Sequence, residues 1–453
     1  MATIIEHAKK LIVELKRIQS PGVMPERIDG KVALPSFISA GDDRSILLSR
    51  EMDRLLNLIA RDFKNSDPVL CRSHTDQEWN REVRRAFGVP LADLDLDANL
   101  DVSAQSLIDQ VRASLTSPQP VFGAHEHVFG CTLFGNNVAG FEIGPVRFEP
   151  RLDWLTRKAA NKLEISQITA RRLTRRWNGA RLRKRKQSID AMHEEDIIAA
   201  VGNCPCVCSV RTSGLASEAG TLKAQTAAHM AMAVIALRWE TPSRTLDGFR
   251  LLSDPGVRRE KSLTFIPGKK VLGGSSLKGM PHGPRIKSQD WASELKKHQP
   301  DFEVAGEAIA YFLSASGQVS RPRMMNTLAQ AILWFHEACR ESVPVMAVVK
   351  FSASLDALAN GAKSGGIRRL ITARLHLAAD KPIRKDGPTM KAAVEEIYSD
   401  GRSRTIHGTN DKLSHDWTST KALSEQFARL CLIMSLDWAA SNATTDDPAL
   451  LQR

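Results

Sequence analysis

Apolar residues recur at helical spacing through the first part of the chain. Ile4, Ile5, Ala8, Leu11, Ile12, Leu15 and Ile18 share one face of an amphipathic helix whose other face carries Lys and Glu. A Pro/Gly-rich stretch, Ser20–Gly41, reads as a loop. Ile46–Phe63 then sets Leu47, Leu48, Met52, Leu55, Leu56, Ile59 and Phe63 at helical intervals, and Asp76–Phe87 and Ser103–Leu115 follow as further helices after Asp/Ser/Thr capping signals. The pattern changes over 118–150, which is Gly-punctuated and aromatic and predicts short strands and turns, with Asn136-Asn137 and the nearby glycines suited to hairpins. Leu152–Ile198 returns to helical spacing. Cys204–Val210 predicts a buried strand and Thr221–Leu237 an apolar helix, while the Gly/Lys-rich 254–290 reads as a mobile surface loop.

From Glu303 onward the periodicity is helical throughout. Met325, Leu328, Ile332, Phe335 and Cys339 step by three and four. Val348, Phe351, Leu355, Leu358 and Ala359 repeat the seam, as do Ile367, Leu370, Ile371, Leu375 and Ala378. Val394, Ile397 and Tyr398 continue it, and Leu423, Phe427, Leu430, Met434 and Trp438 close the set. Short connections between such helices predict an antiparallel bundle. The predicted class is α+β, in three parts. Residues 1–117 form a helical N-terminal region, 118–302 a small mixed α/β unit that senses a trigger or binds substrate, and 303–453 an all-α bundle.

Composition narrows the function classes. With 453 residues and 42% apolar content the chain is globular and long enough for two or three domains. No apolar run reaches the roughly 18 residues of a membrane span, and Met1–Ser20 is amphipathic, unlike a signal peptide. Seven cysteines without an export signal suit a reducing cytoplasm. Cys204, Cys206 and Cys208 lie in C-P-C-V-C, where alternate residues of one strand face a core; no second Cys/His element stands at zinc spacing. Cys71, Cys131, Cys339 and Cys431 read as small buried apolar residues. His125-Glu126-His127 places two histidines on one strand face without a visible third ligand, so no metal is expected. The P-G-K-K-V-L-G-G stretch lacks G-x-x-x-x-G-K-[ST], and no cofactor is expected.

The net charge is +12, and its location matters more than its size. Between Arg157 and Lys186 twelve Lys/Arg stand against one acid, Glu164, which leaves the rest of the chain close to neutral. Arg171, Arg172, Arg175, Arg176, Arg181, Arg183, Lys184, Arg185 and Lys186 are candidate contacts to a nucleic-acid backbone. Arg172, Arg175 and Arg176 share a helical face, with Trp177 beside them. The competing expectation is a solvated face whose cations pair with Glu194, Glu195 and Asp196.

The remaining candidate chemistry lies in Glu395–Gly408, E-E-I-Y-S-D-G-R-S-R-T-I-H-G. Arginine offers a permanently charged fork that suits two phosphate oxygens, and histidine can take and return a proton near neutrality. Five residues of ideal helix would leave Arg402 and His407 about 140° apart, so joint action requires a distorted helix near Gly401 and Gly408 or two copies of the chain.

This stretch, preceded by A-I-L-W-F-H-E-A-C-R and S-L-D-A-L-A, resembles the Apea-like branch of the HEPN family over about Glu303–Ala440, with a fainter likeness through 118–240. The resemblance implies a helical bundle that dimerises and cuts RNA without a metal, in a bacterial abortive-infection or toxin system answering a phage-derived or cellular trigger. It gives Arg402 the phosphate and His407 the acid/base role. Ser403 takes the polar place where active relatives often carry Asn, Asp or His. Asp356 matches an acidic position able to hold the arginine or histidine, and Tyr398 is expected to pack. The alternatives are a non-catalytic HEPN dimerisation or partner-binding module, and a nucleic-acid-binding regulator using the basic stretch.

Overall fold

The computed structural model describes residues 2–22, 27–28, 31–32, 36–116, 123–161, 164–268 and 272–453. The fold is α+β, with predominant helix and a small sheet. Two compact units emerge. One contains Met1–Ala124, Ser213–Leu222 and Ser314–Gly317; the other contains His125–Thr212, Lys223–Leu313 and Gln318–Arg453.

In the first unit, helix α1 (Ala2–Gln19) is followed by short strands β1 (Arg27–Ile28), β2 (Lys31–Val32), β3 (Ser36–Ser39) and β4 (Ser45–Leu48), then by helices α2 (Arg50–Ser66), α3 (Pro68–Ser73), α4 (Asp76–Ala92) and α5 (Leu100–Thr116). Leu11, Leu15, Leu55, Leu56, Ile59, Val83 and Phe87 share its core. The expected loop and the expected start of α2 both need correction. The 20–41 stretch contains β1 and β2, which pair antiparallel, and β3, which pairs antiparallel with β4 just beyond it. Ile46 and Leu48 are buried while Leu47 is exposed, a two-residue alternation that belongs to a strand. Ser49 makes the break: its Oγ accepts the Met52 N–H at 3.2 Å and caps α2.

The second unit begins with strands β5 (Ala124–Thr132), β6 (Phe141–Ile143) and β7 (Val146–Pro150), then helices α6 (Arg151–Ala160), α7 (Gln167–Trp177) and α8 (Ile189–Val201). Strand β8 (Cys206–Ser213), helices α9 (Ser217–Ala236) and α10 (Pro242–Leu246), and strands β9 (Arg250–Leu251), β10 (Arg258–Thr264) and β11 (Leu272–Lys278) follow. A five-stranded sheet runs β6-β7-β8-β5-β9. The hairpin in 118–150 turns at Gly144-Pro145, with Gly144 at φ +56°, and not at Asn136-Asn137. Asn136 instead accepts the Ile286 N–H at 3.0 Å. Residues 117–122 lie outside those described. Leu152–Ile198 is three helices, and its 178–188 portion is not helical. The 254–290 stretch also differs from expectation, because β10 and β11 pair antiparallel in full register from Arg258↔Lys278 to Thr264↔Leu272.

Helices α11 (Ser288–Lys297), α12 (Gln299–Leu313), α13 (Pro322–Cys339), α14 (Pro344–Leu358), α15 (Lys363–Leu375) and α16 (Met390–Glu395) lead into a π-helical segment, Glu396–Ser403. Helix α17 (Arg404–Ile406) and the long α18 (Thr418–Ser441) complete the helices, before a terminal 3₁₀ turn at Pro448–Gln452. The predicted seams of α13 and α14 are buried, with Met325, Leu328, Ile332 and Phe335 on the one and Val348, Phe351 and Leu355 on the other. On α18 the predicted stripe is turned: Phe427 is buried, but Leu423, Leu430 and Trp438 are half-buried and Met434 is exposed, and Cys431 and Leu436 join the core instead. Buried Arg321 ties α13 to α18, donating from Nη1 to the Ala439 carbonyl at 2.6 Å. Among the described residues no helix is long and apolar enough to cross a membrane.

Candidate active site

Asp356 stands near the end of α14, where the chain turns to begin α15. Its Oδ1 accepts the Lys363 N–H at 3.0 Å, steadying a residue with φ +56° at the first turn of α15. Its Oδ2 lies 3.3 Å from Arg402 Nη2, with the Asp356 side chain 12% and the Arg402 side chain 26% exposed. One carboxylate therefore serves a helix start and an ion pair.

Arg402 is delivered by the π-helical segment. The Arg404 N–H bonds to the Ser399 carbonyl, five residues back, so the helix widens by one residue at this turn. Gly401 makes that turn possible. A Cβ there would sit 2.6 Å from Val348 Cγ1 and 3.3 Å from the Glu396 carbonyl oxygen, so only glycine lets the widened turn press against α14. Arg402 Nη1 donates to the Tyr398 hydroxyl at 2.9 Å, and its guanidinium carbon lies 5.1 Å from the centre of the Tyr398 ring. Arg402 Nε is buried without a hydrogen bond. Burial raises the Tyr398 phenol above its ordinary value, and the Asp356 charge adds to this while Arg402 opposes it. Tyr398 is thus packed, as expected, and is also a hydrogen-bond partner of the arginine, a role its sequence position did not reveal.

Ser403 is half-buried, and its carbonyl accepts the His407 N–H at 3.0 Å. His407 caps the one-turn α17 with φ −86° and ψ 2°, and Gly408 follows at φ +71°. Its imidazole is exposed, and among the described residues no hydrogen bond or ion pair joins it to Arg402, Ser403 or Asp356. The fold therefore brings Asp356, Tyr398 and Arg402 together and leaves His407 beside them, facing water. Asp400, which no sequence signal singled out, braces this end: it holds Lys412 Nζ at 2.8 Å and Arg404 Nε at 3.5 Å.

The basic stretch separates into two sets. Arg172 is turned to Glu194 (2.7 Å), and Arg185 to Asp190 (2.8 Å) and Glu194 (3.4 Å), so these two cations are structural. Arg157 and Lys158 are likewise held by Glu126, at 3.0 and 2.7 Å. Arg171, Arg175 and Arg176 on α7, and Arg181, Arg183, Lys184 and Lys186 on the non-helical segment after it, are exposed or half-buried and have no acidic partner among the described residues. Trp177 is not a free stacking surface. It is buried, donates from Nε1 to the Gly202 carbonyl at 3.1 Å and lies under Arg151.

Cys206 and Cys208 are buried in β8, and burial pushes both thiols up, Cys206 to about 11. Cys204 precedes the strand and is also buried. Glu126, between the paired histidines, is opposed by burial yet pulled down to about 2 by hydrogen bonds from Arg157 and Lys158. His127 Nε2 meets Thr212 Oγ1 at 3.1 Å. Among the described residues no group of three or more His, Cys, Asp or Glu is arranged to hold a metal ion. Comparison with protein-family models, with curated proteins and with solved structures gives no match.

Proposed function

We propose that the C-terminal helical region is a HEPN-type, metal-independent endoribonuclease of a bacterial abortive-infection or toxin system, acting on RNA as a cytoplasmic homodimer. What supports this is one arrangement: a guanidinium anchored by Asp356 and Tyr398 at a helix break, with an unengaged, exposed imidazole on the next turn. In this reading neutral His407 takes the ribose 2′-OH proton and O2′ attacks the adjacent phosphorus. The O2′–P bond forms and the P–O5′ bond breaks, while Arg402 faces the charge gathering on the phosphoryl oxygens. An imidazolium returns a proton to O5′, and a second copy of the site in a dimer supplies that acid without asking one side chain to reach both oxygens. The unpaired cations of α7 and the segment after it hold the RNA backbone.

The same ion pair favours a second reading. With both terminal nitrogens of Arg402 engaged inside the chain, the arginine is a strut and the bundle a non-catalytic dimerisation or partner-binding module. Incubating purified protein with total RNA, beside Arg402→Ala and His407→Ala, separates the two. Cuts that vanish in both variants support the nuclease. Intact RNA in all three samples, from protein shown to be triggered, supports the module.

A further inference from the structure

The β10–β11 hairpin buries almost nothing. None of its described side chains joins a hydrophobic core, and Leu263 and Leu277 are 68% and 58% exposed. Just past β10, Phe265 is 72% exposed. A free two-stranded ribbon is marginal in water, and apolar side chains left in solvent at this density mark a surface awaiting a partner.

The register shows which face awaits it. Arg258, Glu260 and Lys278 share one face, where Glu260 lies 3.0 Å from Arg258 and 4.0 Å from Lys278, so both cations there have an acidic partner. The opposite face carries Arg259, Lys261 and Leu263, paired across the ribbon with Leu277, Ser275 and Gly273. Arg259 and Lys261 are exposed and have no acidic partner among the described residues. Gly273, Gly274, Ser275 and Ser276 make β11 thin along its middle, which permits close approach by another backbone.

We infer that this ribbon is a docking arm for double-stranded DNA, with Arg259 and Lys261 on phosphates and Phe265 packed against base edges in the groove. Charge selects a polyanion, and the shape selects its form. A two-stranded ribbon fits the roughly 12 Å major groove of B-form DNA, whereas the major groove of A-form RNA is too deep and narrow for it. In the B-form groove a phenyl ring packs on the thymine methyl, a contact that a purely electrostatic surface does not make. The inference stands apart from the ribonuclease reading, since it uses none of the residues of that site.

The test is fluorescence anisotropy of the full chain with a labelled DNA duplex, and with an RNA duplex of the same sequence, across a salt series. The proteins compared are wild type, Arg259→Gln/Lys261→Gln and Phe265→Ser. All the substituted side chains are exposed, so circular dichroism and melting temperature should be unchanged. The double variant is expected to bind DNA several-fold more weakly, with the slope of log K against log salt shallower by about 1.8, because two phosphates are no longer neutralised. Phe265→Ser is expected to weaken DNA binding with the slope intact. A double variant that loses as much affinity for the RNA duplex as for the DNA duplex would overturn the assignment. So would a double variant whose DNA affinity and slope match wild type, the outcome that points to a protein partner for the arm.

Discussion

Arg402 and Asp356 meet across the contact between the π-helical turn and α14, 3.3 Å apart, and the same carboxylate fixes the first N–H of α15. The pair therefore couples three pieces of the bundle, and removing either partner has different consequences. Asp356→Ala strips the Lys363 N–H and Arg402 together and is expected to cost about 1–3 kcal/mol in urea unfolding. Arg402→Met leaves the α15 contact in place and should cost less. In a double-mutant cycle the two should couple by about 0.5–2 kcal/mol; additive effects would show that the ion pair carries no stability.

Gly401 sets the turn that presents Arg402. Gly401→Ala drives a methyl into Val348 Cγ1, with a loss of about 1–3 kcal/mol expected from overpacking. Val348→Ala in the same chain opens the space. The double variant should recover part of the loss, measured by thermal melting, whereas no recovery would place the strain in the backbone instead.

The two sets of cations in the basic stretch should behave differently. Arg172→Gln uncovers the buried Glu194 carboxylate and should lower the melting temperature. Arg175→Gln/Arg176→Gln alters side chains without an acidic partner among the described residues. It should leave stability within about 0.5 kcal/mol and flatten the salt dependence of RNA binding by about one to two in slope.

His336 provides a pH test. It is buried in α13, stacks on His229 with ring centres 4.8 Å apart, and has Nε2 without a partner. Burial holds its pKa below the ordinary 6.5; Glu337 pulls upward, while His229 and Arg340 push down. Asp254 lies 3.0 Å from His229 Nε2 and 3.6 Å from Arg340 Nη2. The folded chain thus keeps His336 neutral where the unfolded chain binds a proton. Stability is whole above pH 6.5 and falls as pH drops below it, until the folded value is reached. His336→Leu should shallow the decline in urea midpoint between about pH 7 and 5.5; an unchanged slope would assign the decline to other groups, such as His74 and His127, which burial also depresses.

Where side chains bury on one face, the sequence was readable. The seams of α13 and α14, and the stripe from Ile4 to Ile18, have a contrast between apolar and polar faces that fixes the helical period. Ser45–Leu48 was not legible as a strand because its residues fit a helical count as well as an alternating one, and the Ser49 cap decides between them. The β10–β11 ribbon was illegible for the opposite reason: largely exposed on both faces, it has no apolar alternation to read. At the candidate site, Arg402, Ser403, His407 and Asp356 were visible as residue types. Ideal helical geometry required a distortion for Arg402 and His407 to act together, and the widened turn at Gly401 is a distortion of that kind, although it leaves the two side chains without a contact. The pairing of Arg172 and Arg185 with Glu194 depends on how α7 and α8 lie together, which charge counting does not convey.

RNA cleavage at this site is checked most simply with purified protein and a defined RNA in EDTA, followed by analysis of the new ends in wild type, Arg402→Ala and His407→Ala. Attack by O2′ leaves 2′,3′-cyclic phosphate and 5′-hydroxyl ends. Those ends are expected from wild type, with a loss of about 100-fold or more in rate on removing His407 and a comparable loss on removing Arg402. Cleavage that survives in His407→Ala, or that leaves 5′-phosphates, would contradict the ribonuclease reading.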